Sequence, residues 1–83
     1  MRCKFKLDSI NRVIQPVNNE GKTQEFNSLV FTPVYANNDP EHENSKFWKY
    51  TPSGKLEIGT VNAEVVSHLE LGKEYYLDIT AAS

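Results

Sequence analysis

One cysteine, two histidines and four glycines among 83 residues exclude several kinds of chemistry at the outset. Cys3 has no second cysteine with which to form an internal disulfide, and a lone thiol suits a reducing compartment. Zinc sites need more His and Cys than this, and the acidic stretch Asp39, Glu41, His42, Glu43 lacks the regular spacing and glycine turn of a calcium loop. A Gly-rich phosphate loop is missing as well. No apolar run approaches the roughly 20 residues of a membrane helix, and Met1-Arg2-Cys3-Lys4 lacks the apolar stretch of a signal peptide. These absences set the expectation of no metal, no cofactor, no membrane association and a cytoplasmic setting.

Catalysis is not expected either. A nucleophilic Ser, Cys or Thr needs an adjacent base, and the histidines, His42 and His68, are far apart in the chain. Cys3 falls on the apolar parity of its segment, where a cysteine acts as a small core residue. The net charge of −2 supplies no general attraction to nucleic acid or anionic membrane. Charge is unevenly spread, however: Arg2, Lys4, Lys6 and Arg12 crowd the first segment, and the acidic loop follows Asn37-Asn38.

What is present is alternation. Cys3, Phe5 and Leu7 oppose Lys4, Lys6 and Asp8, the period-two signature of a half-buried strand. Ile10, Val13, Ile14 and Val17 break that parity, so a bend or bulge near Ser9 is expected. Asn18 to Lys22 reads as a turn leading into a second strand over 25–35, with Pro33 at an edge or irregularity. Residues 36–45 read as an exposed loop, Thr51-Pro52-Ser53-Gly54 as a turn and 55–61 as a strand. Asn62 is the natural cap of a short helix at about 63–70. Glu74 to Thr80 then alternates as a final strand. The expected fold is a single mainly β domain over 1–83: a small curled antiparallel sheet or open β-barrel of four to five strands, with one short α-helix before the last strand.

The segments Glu43 to Leu56 and Leu71 to Asp78, with Cys3-Lys4-Phe5-Lys6-Leu7 and Thr32-Pro33-Val34-Tyr35, resemble a group of small uncharacterised accessory proteins of tailed bacteriophages. The resemblance spans nearly the whole chain and implies an infected host cytoplasm. It implies no settled activity and no site residues. The acidic loop at 39–43 departs from the group's pattern.

The feature that points to binding is Lys46-Phe47-Trp48-Lys49-Tyr50, where rings interleave with ammonium groups. Two readings follow. Trp48 and its neighbours either plug the sheet as core residues, or present a contact surface made of Lys46, Trp48, Lys49, Tyr50 and Tyr76, joined by Lys4 and Lys6 if they share a side. As a contact surface they suit a host protein or signalling nucleotide of an antiviral defence system, which the chain would inhibit or sequester. Alternatively they stack and neutralise single-stranded nucleic acid during phage replication or recombination. Pairing with a second copy through an edge at Lys4–Asp8 or Glu74–Thr80 is a further expectation.

Overall fold

A computed structural model describes residues 2–17, 21–35, 41–49 and 52–83. Strand β1 (Arg2–Val17) and strand β2 (Lys22–Pro33) form a long antiparallel hairpin. Helix α1 (Glu43–Trp48), strand β3 (Leu56–Thr60), helix α2 (Ala63–Ser67) and strand β4 (Glu74–Asp78) follow. The sheet order is β3-β2-β1-β4, antiparallel throughout, and the sheet is open at both ends. The mainly β fold is therefore as the alternation predicts, in its open-sheet form rather than as a barrel.

The first segment is one strand, and its parity break is a bulge between Leu7 and Ser9. The extra residue has a clear effect. Cys3, Phe5 and Leu7 are buried on one face, and the shift brings Ile10 onto that same face, where it packs against the core. Leu29, Phe31 and Val66 complete the buried cluster, with Leu56, Leu69, Tyr75, Leu77 and Trp48 around it. All lie on the helix-covered face, and among the described residues no helix lies on the other face of the sheet. That division is ordinary for an antiparallel sheet.

Helix α2 starts where Asn62 caps it, its side chain accepting from the Glu64 amide at 3.1 Å. It ends at Ser67, earlier than the periodicity suggests, because the chain turns to meet β4. There Gly72, at φ 84°, donates to the Leu7 carbonyl at 2.8 Å, and Leu7 donates to the Lys73 carbonyl at 3.1 Å. A positive φ is inexpensive only for glycine, and this one carries the β4 ladder one step beyond its strand. Leu7, fully buried, thereby has both backbone groups satisfied.

Helix α1 was not foreseen by local pattern, which reads this region as loop. His42 caps it, its Nδ1 accepting from the Asn44 amide. The decisive contact is the fully buried Asn44 side chain. Its Oδ1 accepts from the Lys4 amide at 2.6 Å, and its Nδ2 donates to the carbonyls of Lys4 and Val34. Strand β2 is leaving β1 at this point, past Pro33, so the side-chain amide takes the place of the missing backbone partner.

A second asparagine, Asn27, is also fully buried, yet neither its Oδ1 nor its Nδ2 has a hydrogen-bond partner among the described residues. The two should respond oppositely to substitution. Asn44→Ala removes three hydrogen bonds and strands a buried amide, a loss of about 2–4 kcal/mol. That is a large part of the roughly 4–12 kcal/mol available to a chain of this length. Asn27→Val removes an orphaned polar group from a strand interior and should leave stability unchanged or raise it by about 1–2 kcal/mol. Urea unfolding midpoints of the two variants, moving in opposite directions from wild type, check both.

Candidate functional site

The residues singled out by sequence divide between two faces. Trp48 lies at the end of α1 on the helix-covered face, partly buried, with its ring 5.9 Å from Phe5 at 51°. Its Nε1 donates to the Ser53 carbonyl at 2.9 Å, which ties α1 to the turn before β3. The indole thus packs on the core while keeping part of its surface accessible. Lys46 projects outward from the same helix, 3.6 Å from Glu41. Lys49 follows the last helical residue and is exposed, its backbone at φ 71° and its amide donating to Ser45 at 2.7 Å. Glycine would hold that left-handed conformation more cheaply, so the lysine side chain is kept at some cost in stability. Tyr50 and the side chain of Phe47 lie outside the described residues.

Tyr76 occupies the opposite face. Its neighbours Tyr75 and Leu77 pack on the core, so the alternation of β4 turns Tyr76 toward the uncovered side, where it is 51% exposed. Across the ladder it faces Lys4, with Arg2–Asp78 and Lys6–Glu74 as the flanking pairs. The Arg2 guanidinium lies 4.7 Å from the Tyr76 ring centroid and the Lys4 ammonium 5.5 Å from it. Contacts at that range stabilise the ring by about 0.5–1 kcal/mol each at an exposed site. Tyr76 therefore shares a side with Lys4 and Lys6, the condition under which they could form one surface. Arg2, which sequence reading placed only in a general basic cluster, is the cation nearer the ring; its position follows from the β1–β4 register, which no local pattern reveals.

These cations are matched by carboxylates. Arg2 binds Asp78 through Nε at 2.6 Å and Nη2 at 3.2 Å, and Lys4 approaches Glu74 at 3.8 Å. The Arg2 hydrogen bond holds the Asp78 carboxyl below its usual range. On β1, Asp8 at the bulge accepts from the Thr32 hydroxyl. The uncovered face at this end is therefore charge-mixed, with one ring clamped between cations. It suits a partner carrying both signs of charge better than a polyanion.

Elsewhere the chemistry is sparse. A surface groove of about 440 Å³ is lined by Thr32, Pro33, Tyr35, Pro52, Ser53 and Gly54, with no titratable group apart from the Tyr35 phenol. Both histidines sit at helix ends, His42 as the cap of α1 and His68 at the close of α2. Among the described residues no group of three or more His, Cys, Asp or Glu converges. No described helix is long and apolar enough to cross a membrane.

Cys3 is 1% exposed beneath the β1–β4 ladder, its Sγ 3.8 Å from the Leu77 carbonyl. Burial, and next the Asp78 carboxylate, push its thiol above the ordinary cysteine range. A thiol that is both buried and protonated reacts slowly. Native protein should therefore resist a thiol reagent such as dithionitrobenzoate at neutral pH and react promptly in denaturant. Fast native labelling would show that β4 opens readily.

No protein-family model, curated protein or solved structure matches this chain.

Proposed function

We propose that the chain is a small non-catalytic binding protein whose contact surface is the uncovered sheet face around Tyr76, flanked by Arg2 and Lys4. The observation that carries this reading is a half-exposed aromatic ring held by two cations on a strand pair. Tyrosine and arginine are the residue types that dominate interface energetics. A ring fixed before contact loses little side-chain freedom on binding. Lys46 on α1 and Lys49 just past its end, both exposed, offer a second point of contact. The likeness of sequence pattern to phage accessory proteins supports a host factor as the partner, and the proposed role is inhibition or sequestration of an antiviral defence component in the infected-cell cytoplasm.

Single-stranded nucleic acid is the competing reading, and it draws on the same ring. Its weakness is electrostatic: the lysine and arginine beside Tyr76 already face Glu74 and Asp78. Few uncompensated cations remain to release counterions from a phosphate backbone.

Tyr76→Ala should keep the fold, since the ring is outside the core, and weaken capture of the host partner by roughly tenfold or more. Affinity capture from host lysate, quantified for wild type and Tyr76→Ala side by side, measures this. Equal capture by both proteins, or no specific capture by wild type, sinks the proposed surface. Fluorescence anisotropy with a labelled oligonucleotide should show at most weak binding even at low salt. Tight binding that falls steeply with added salt would favour the nucleic-acid reading instead.

A further inference from the structure

The chain as a whole carries more surface than a compact monomer of its size, and the far half of the hairpin contributes to it. The chain exposes 6231 Å², whereas a compact monomer of its mass exposes about 5,000 Å². Its radius of gyration is 16.1 Å, against about 12 Å for a compact domain of this length. The excess of roughly 1,200 Å² is larger than the roughly 800 Å² that each partner buries in a standard interface.

The extra surface is apolar on both sides of the ribbon. Ile14, on the helix side, is 69% exposed, and Val13, on the uncovered side, is 51% exposed. Strand β4 pairs with β1 only over Arg2–Lys6, with Leu7 served by Gly72 and Lys73. From Asp8 to Val17, β1 pairs with β2 alone among the described residues. This is a long free edge.

The free edges differ in charge, and the stretch of β2 beyond β3 carries Lys22 and Glu25. Along β4, Glu74 and Asp78 stand as guards, paired to Lys4 and Arg2. Strand β3 carries Glu57, paired to Lys55. Charged side chains are how edges resist pairing with another chain. Residues 9–17 of β1 contain one charge, Arg12, and it is drawn toward Glu25 on β2 at 3.7 Å. The edge at Lys4–Asp8, by contrast, lies inside the sheet for most of its length, which corrects the expectation that it would be a dimer edge.

We infer that a second copy of the chain pairs antiparallel with this edge, β1 against β1, about a two-fold axis at Val13. The free stretch Ser9–Val17 is centred on that residue, so an isologous register uses all of it. Strand β2 alternates its backbone groups between β1 and β3, so the pleat directs Ser9, Asn11 and Val13 to β2. The amides of Ile10, Arg12 and Ile14 then point to the second copy. In this register Arg12 lies opposite Ile14 of the other chain, and Asn11 opposite Gln15, with no like charges facing. Pro16 lies opposite Ile10, where it accepts one bond and cannot return it, which confines the ladder to the middle of the stretch. Val13 meets its own copy across the axis on one face, Ile14 meets Arg12 of the other chain on the opposite face, and the open backbone edge is paired.

Self-pairing of one residue across the axis makes the test specific. Wild-type protein should sediment as a dimer at micromolar concentration and above. Val13→Lys and Val13→Glu each place like charges across the axis and should weaken dimerisation by roughly tenfold or more. An equimolar mixture of the two variants should restore it as a heterodimer, which neither misfolding nor a general loss of hydrophobicity would produce. A monomeric wild type overturns the inference. So does a dimer that both variants retain, or a mixture that stays monomeric.

Discussion

The fold depends on a side-chain amide standing in for a strand. Past Pro33, β2 no longer pairs with β1, and the backbone of Lys4 would be left with one bond, from the Val34 amide. Asn44 supplies what is missing, accepting from the Lys4 amide and donating to both carbonyls while wholly enclosed. An unpaired backbone group in that position costs about as much as a lost hydrogen bond. The same contact pins α1 over the start of β1, which brings Trp48 onto Phe5 and, through the indole N–H, fixes the approach to β3. One residue thus coordinates three elements that are remote in sequence.

Much of this was legible from side-chain order, for a definite reason. Alternation reports which face a residue takes, so Cys3, Phe5, Leu7, Tyr75 and Leu77 could be assigned to the core side and Tyr76 to the other. The break in parity after Leu7 announced the bulge, and Asn62 announced its helix, because a cap acts over two or three residues. What alternation cannot report is which strand lies beside which. The neighbours of β1, the openness of the sheet and the placement of Arg2 beside Tyr76 all follow from pairing across long separations. Helix α1 was illegible for the same cause: its six residues have weak reason to be helical until Asn44 finds Lys4. The aromatic-basic run likewise gave Trp48 two destinations, and only the contact with Phe5 distinguishes between them.

The bulge at Asp8 divides the molecule into regions of different character. Before it, Arg2 and Lys4 on the uncovered face are answered by Asp78 and Glu74 across the ladder, and β1 is flanked by β4 from Arg2 and by β2 from Phe5 onward. Beyond it the charges fade, β4 is gone, and β3 reaches only as far as Asn27. Asn27 marks that frontier with an unsatisfied amide where the buried row ends. Over Gly59 the ring of Phe26 occupies the space a Cβ would need, the last piece of cross-strand packing before the ribbon runs on alone.

A two-stranded ribbon without a third strand or a helix is marginal in water. Had the strand continued without its extra residue, Val13 rather than Ile10 would have shared the face of Leu7, and the core would have lost its outermost aliphatic. The bulge therefore stabilises the near half of the hairpin and leaves Val13 and Ile14 on opposite, uncovered sides of the far half. Those side chains retain a driving force for burial that the chain's own residues do not meet. A second copy across the free edge pairs its backbone groups and gives each of these side chains a cross-strand neighbour. Folding of the ribbon and association then become one equilibrium, with stability that rises with protein concentration, while the Tyr76 patch lies at the other end of the sheet, away from this edge.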